Sequence, residues 1–233
     1  LGIFMLLAII SFFFTGAAIT SGNSTGNTPF NGIAIDSELA IVKLKPAKEY
    51  LKDFYGIPDS AICYQQNDIM MGVKYLMNVA KELAMPIAIC IGLSSSQGAH
   101  DGSDSLSLYL QECGRQEGVA MVVAVGNEGN QQLHYYGVKS PEETSGTVEL
   151  NVSPEDKDFT MELWVDIQSL LRIFIISPAG EVVYSIDSSL PLTPGTMVSY
   201  GDMTLNIELF SNVIGTNQKL IWFRFRNIGE GVW

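Results

Sequence analysis

Residues 122–130 read VVAVGNEGN, an apolar run that passes directly into Gly126, Asn127, Glu128 and Gly129. The two glycines allow the chain to turn sharply beside a ligand. Asn127 then offers a neutral amide donor fixed at the tip of a strand. A preorganised donor of that kind stabilises charge that appears only in a transition state, as a developing oxyanion requires. Taken alone, the tetrapeptide also fits a glycine-rich turn without chemistry, and Glu128 is read as a turn residue. A second candidate edge is Gly92, Leu93, Ser94 and Ser95, which follow the apolar run IAICI. Ser94, Ser95 and Ser96 have no identifiable base nearby in sequence, so they are read as loop residues lining a cleft. His100 and His134 are read as surface histidines. Asp101 and Asp104 belong to no ligand-spaced run.

These residues need elements to hold them. Residues 39–44 are a short apolar run of strand length. From Asp68 to Ala84 the apolar positions Ile69, Met70, Val73, Leu76, Met77, Ala80 and Leu83 recur every three or four residues, which predicts an amphipathic helix closed by Pro86. A strand is predicted over Ile87 to Ile91. A second helix is predicted over Asp104 to Gln116 with Ser103 as cap, and a strand over Val119 to Val125. Strands apolar throughout imply burial on both faces, as in a parallel sheet covered by helices. In such sheets ligands bind beyond the carboxyl ends of the strands, here Gly92–Ser96 and Gly126–Asn130. After Gly137 the texture changes to short β-type runs separated by turn signals, and the alternation of residues 160–167 is that of a long strand. The expectation is an α/β protein with a doubly wound, mostly parallel sheet over residues 21–137, followed by an all-β sandwich over 138–233.

Composition narrows the function classes. The 233 residues are 47% hydrophobic and 16% charged, which fits a folded core and not a disordered chain. With 25 acidic against 13 basic residues the formal charge is -12, a poor basis for binding nucleic acid. Cys63, Cys90 and Cys113 have neither metal-site nor redox-motif spacing and read as buried free thiols. No metal and no cofactor are expected. No Gly-x-Gly-x-x-Gly or phosphate loop follows a strand, which disfavours a nucleotide-binding domain.

Residues 1–20, LGIFMLLAIISFFFTGAAIT, hold no charge. Their length is that of a bilayer span, about 20 residues, so a membrane anchor is one expectation. A start at Leu1 without a basic region suggests truncation in place of a signal peptide.

Three segments together resemble the subtilisin-like serine proteases, the subtilases. VVAVGNEGN resembles the Gly-Asn-Glu-Gly segment that follows a hydrophobic strand in that family. NGIAIDSELAIVKLK, residues 31–45, resembles the segment leading from the catalytic-histidine helix into a core strand, with Ile35 where a proline is usual. IAICIGLSS, residues 87–95, resembles the strand that walls the substrate cleft, although its usual glycine pair is absent. They occur in family order, and the resemblance covers about residues 15–137. The loop SQGAHDGSD and the β-rich tail are similar to the bacterial spore-germination proteases, which carry a jelly-roll-like insertion.

The resemblance implies a peptide or protein substrate, Asn127 as oxyanion donor, Gly126 and Gly129 as turn-shaping residues, and Gly92, Leu93, Ser94 and Ser95 pairing with an extended substrate. It also implies a serine nucleophile, a histidine base and an orienting aspartate. No Gly-Thr-Ser run occurs in residues 1–233, no Asp precedes Asp36, and Ile10, Ser11 and Phe12 stand where His-Gly-Thr is expected before FFTGAAITSG. Residues 1–12 are therefore suspected of arising from a reading-frame error. The resulting expectation is an incomplete endopeptidase, itself inactive and poorly soluble because apolar sheet is exposed. The rival is a membrane-tethered pseudoprotease or peptide-binding module. A secreted, spore-associated or membrane-anchored bacterial location is implied by the same resemblance.

Overall fold

A computed structural model of the chain describes residues 6–10, 22–23, 30–138, 140, 142–190 and 195–233. In chain order the first elements are β1 (Leu6–Ile10), β2 (Gly22–Asn23), β3 (Phe30–Asn31), β4 (Glu38–Val42), α1 (Glu49–Tyr55), α2 (Gln66–Leu83), β5 (Ile87–Ile91), α3 (Ser105–Gly114) and β6 (Val119–Val123). Strands follow from there: β7 (Asn151–Val152), β8 (Phe159–Asp166), β9 (Arg172–Ile176), β10 (Val182–Asp187), β11 (Thr196–Tyr200), β12 (Met203–Phe210), β13 (Gln218–Arg226) and β14 (Gly231–Val232). The chain divides into two compact units. The first comprises Leu1–Ala47, Ile62–Ser96 and Asp104–His134; the second comprises Lys48–Ala61, Gln97–Ser103 and Tyr135–Trp233.

The first unit is organised by a sheet of four parallel strands in the order β4, β1, β5, β6. Helix α2 buries Ile69, Val73, Leu76 and Ala80, the stripe its spacing predicts. It ends where Ala84 turns left-handed at φ 52° and returns its N–H to the carbonyls of Ala80 and Lys81. Helix α3 starts one residue later than expected, because Asp104 and not Ser103 is its cap. The Asp104 carboxylate accepts from the N–H groups of Leu106 and Ser107, both at 3.0 Å. Ser103 is itself engaged, its N–H donating to Asp101 at 2.9 Å. Both helices share one core with Ile87, Ile89 and Ile91 of β5, and Ala40, Val42, Val119 and Met121 pack against it from the neighbouring strands.

That arrangement corrects the expected architecture. A doubly wound sheet carries helices on both faces. Here α2 and α3 both pack on the side of Ile87, Ile89 and Ile91. On the opposite side of the flanking strands Leu39 is 40% exposed, Ile41 43% and Val122 56%. The apolar texture of Val119–Val125 therefore does not report burial on both faces. The described residues hold three helices, and the remaining elements are strands, most of them in small antiparallel sheets.

The second unit has one four-stranded antiparallel sheet, in the order β11, β12, β13, β8, and two two-stranded antiparallel sheets, β9 with β10 and β7 with β14. Its core is Val152, Ile186, Met203, Leu205, Ile207, Ile221, Phe223, Phe225 and Ile228. These small sheets stand where a single sandwich was expected. The loop 97–103 is tied to this unit: Gly98 N–H donates to Glu162 Oε2 at 2.8 Å, and Gln218 Nε2 to Asp101 Oδ2 at 3.1 Å.

The apolar leader is corrected in part. Leu6–Ile10 is a strand, hydrogen-bonded between β4 and β5, so residues 1–20 do not form one continuous spanning helix. Among the described residues no helix is long and apolar enough to cross a membrane. Residues 1–5 and 11–20 lie outside the described residues.

Candidate functional site

The carboxyl ends of β5 and β6 lie side by side, with Ile91 opposite Val123. Ala124 N–H donates to Ile91 O at 3.0 Å, which carries the pairing one residue further. The chain then turns at Gly126, whose φ of 93° is a conformation that side chains rarely adopt. A Cβ there would lie 2.5 Å from Glu128 Oε2 and 2.9 Å from Ser94 Oγ. Both are side-chain atoms that could shift, so it is the positive φ that makes glycine the favoured residue here. The turn thus brings the two predicted segments together, with Ser94 of the β5 tip against Gly126 of the β6 tip.

Asn127 is exposed at this tip. Its backbone N–H donates to Glu128 Oε2 at 2.8 Å, so the Glu128 carboxylate holds the turn. Gly92, Ser94 and Ser95 are exposed, while Leu93 is half-buried and packs against the core of the first unit. Leu93 is the anchor that fixes the direction of this segment. Gly129 has open space where a Cβ would stand and no left-handed φ, so its conformation does not demand glycine.

The candidate carboxylates Asp104 and Asp101 serve the backbone of their own segments. Burial raises the Asp104 carboxyl, but the Ser107 hydroxyl and the N–H groups of Ser107 and Leu106 outweigh it and hold the group below the usual aspartate range. Asp101 is lowered by the hydroxyl and N–H of Ser103. His100 is exposed in the second unit, with φ at 56°. His134 is exposed at the end of the first.

In fold the chain is similar to a bacterial protease. The solved structure is the CspB protease of Clostridium perfringens, matched with a TM-score of 0.73 and 25% sequence identity. The match covers 93% of this chain and 44% of that one, so this chain spans less than half the length of its structural neighbour. No family model and no curated protein sequence matches the chain. The likeness supports a protease-type fold for the part of the chain it covers.

Sequence reasoning missed α1, which falls inside the polar stretch from Pro46 to Asn67. Two signals mark it: Leu51, Phe54 and Tyr55 at spacings of three and four, and Gly56 immediately after the helix in a left-handed conformation, φ 69°. Its apolar residues are not buried in a core of their own, which is why periodicity alone did not distinguish it. Phe54 instead stacks on Trp222 of β13, with ring centroids 5.1 Å apart and planes 12° from parallel.

Proposed function

We propose that this chain is part of a subtilisin-like serine endopeptidase of the spore-germination type, and that its β5 and β6 tips form the side of the cleft where the transition state is held. The observation that carries the reading is the exposed Asn127, held beyond β6 by a turn at Gly126, whose positive φ favours glycine, beside Ser94 of the β5 tip. In that role the Asn127 side-chain N–H groups point to where a scissile carbonyl oxygen gains negative charge. A serine attacks the carbonyl carbon, its proton passes to a histidine, and the charge moves onto the oxygen. A fixed neutral donor stabilises that oxygen without needing to reorganise. Gly92, Leu93, Ser94 and Ser95 form the adjoining wall, where an extended peptide adds as a further strand through main-chain hydrogen bonds.

The similarity to a longer protease supports reading the chain as a portion of one. A nucleophile segment of the Gly-Thr-Ser type and a His-Gly-Thr segment do not occur in residues 1–233. A second reading is a peptide-binding module that retains the cleft wall without catalysis. The test is the Asn127→Ala substitution in the longest polypeptide encoded by the gene, assayed on a chromogenic peptide. The endopeptidase reading expects kcat to fall with KM little changed, by the size of effect that removing one oxyanion donor has in subtilisin itself, about 100- to 1000-fold. Equal activity of variant and parent contradicts the role of Asn127. No hydrolysis by either, with retained peptide binding, favours the second reading.

A further inference from the structure

The chain leaves the first unit for the last time at His134 and enters the second at Tyr135. Every described residue from Asn127 to Glu149 is exposed, and none of them belongs to a helix or strand. Within this stretch Tyr135 is 65% exposed, Tyr136 81% and Val138 77%. Exposure alone does not make a cleavage site. An endopeptidase must draw several residues into an extended conformation, so a bond inside an element is cut only after that element opens. The other exposed aromatic side chains among the described residues are Tyr50, Phe54, Tyr75, Phe174 and Phe210, and each sits in a helix or strand. Tyr135 and Tyr136 do not. The Tyr135 ring lies over Gly137, 2.7 Å from where a Cβ would stand. That contact joins near neighbours in the chain and opens without disturbing a core.

A break at this place spares what holds each unit. The core of the first unit and the side chains packed on it end at Met121, and those of the second begin at Leu150. The turn at Asn127 is held by groups before the break: Asn127 N–H donates to Glu128 Oε2 at 2.8 Å, and Gln131 N–H to Glu128 O at 2.9 Å. Beyond the break, Leu150 and Trp233 exchange both backbone hydrogen bonds, at 2.8 and 2.9 Å.

The second unit also contains two earlier pieces of chain, Lys48–Ala61 and Gln97–Ser103. The first carries α1, whose Phe54 stacks on Trp222 with centroids 5.1 Å apart. Its Gly56 lies so close that a Cβ would be 2.8 Å from the Asp158 backbone. The second piece is held by the bonds of Gly98 to Glu162 and of Gln218 to Asp101. After a break at Tyr135 or Tyr136 these two pieces stay on the N-terminal fragment, while the sheet they pack on is in the C-terminal one. The fragments therefore remain joined by the packing of the second unit itself.

We infer that the Tyr135–Tyr136 and Tyr136–Gly137 bonds are a processing site for an endopeptidase of aromatic specificity, and that cutting there gives a two-chain form that stays assembled. Hydrolysis adds one water across the bond, leaving a tyrosine carboxylate on one fragment and an ammonium group on the other. The inference is independent of the role of Asn127.

The experiment is limited digestion of the longest encoded polypeptide with a trace of chymotrypsin, followed over time by mass spectrometry. Within residues 30–233 the first cut is expected after Tyr135 or Tyr136, faster than at any other bond by about tenfold or more, since the other aromatic sites must first open locally. The two products should co-elute at the volume of the uncut protein and separate only in denaturant. Replacing both residues, Tyr135→Ser with Tyr136→Ser, should slow this cut by about tenfold or more and leave the thermal melt unchanged, as substitutions at exposed loop positions do. Phe54→Ala, shown by its own melt to be folded before digestion, should let the fragments part at a lower urea concentration. A first cut elsewhere in residues 30–233, an equally fast cut in the double variant, or fragments that separate in native buffer overturns the inference.

Discussion

The two sheets at the centre of the two units treat their second face in opposite ways. Among the described residues of the first unit, the face away from α2 and α3 is apolar and exposed: Leu39, Ile41 and Val122 stand there, each at least 40% exposed. In the second unit the face away from the core is polar and built: Thr204, Asn206, Arg224 and Arg226 line it, and Phe54 stacks on Trp222 above it. The difference follows from sequence pattern. Residues 119–123 are apolar at every position, so both sides of β6 are apolar whatever covers them. Residues 223–226 alternate Phe and Arg, so one side of β13 is committed to a core and the other, beyond Trp222, to polar contacts. Continuous apolarity records what a strand tolerates, and alternation records what each face meets.

The contrast is most easily broken at the committed core. Phe223 is 1% exposed among Leu205, Ile207 and Ile221. Phe223→Ala should cost about 3–5 kcal/mol, measured by urea unfolding, because a large cavity opens in a packed interior. A loss near 0.5 kcal/mol would mean that this face is not a core. Next in size is the turn between the tips. Gly126→Ala should cost about 1–3 kcal/mol for strain at a φ of 93°, with the contact to Ser94 added. A neutral substitution would show that the β6 turn relaxes freely. The smallest effect on stability is expected on the open face of the first unit. Val122→Thr should change it by no more than about 0.5 kcal/mol. It should nonetheless reduce binding of a hydrophobic dye and self-association by light scattering, since exposed apolar area is what drives both. A destabilisation of several kcal/mol would show that this face is covered.

Much of the local structure was legible. The stripe of α2 is written at i, i+3 and i+4, and β5 is set off by Pro86 before it and Gly92 after it. The Gly126–Asn127 turn was legible because its residues have few other uses: a glycine at positive φ shortly after a strand turns the chain and leaves the next side chain at the surface. The fold class was not legible. Periodicity states that a strand can be buried on both sides and does not state what lies there, so helices were expected on two faces of the first unit's sheet, whereas the described ones, α2 and α3, pack on one. Helix α1 escaped because its binding surface is a sheet from a distant part of the chain, and Phe54 and Trp222 have no sequence relationship that reveals their stacking. The polar face of the second unit's sheet was illegible for the same reason. Asn206 and Arg224 become neighbours only through the β12–β13 register.

The central claim is that the adjoining tips of β5 and β6 are where a peptide lies. Hydrogen exchange in the longest encoded polypeptide, with and without a saturating extended peptide substrate, tests it most directly. The account predicts slowed exchange of the amides of residues 92–95, with the turn at 126–127 affected alongside them. Unchanged exchange across both segments while the peptide is bound contradicts it.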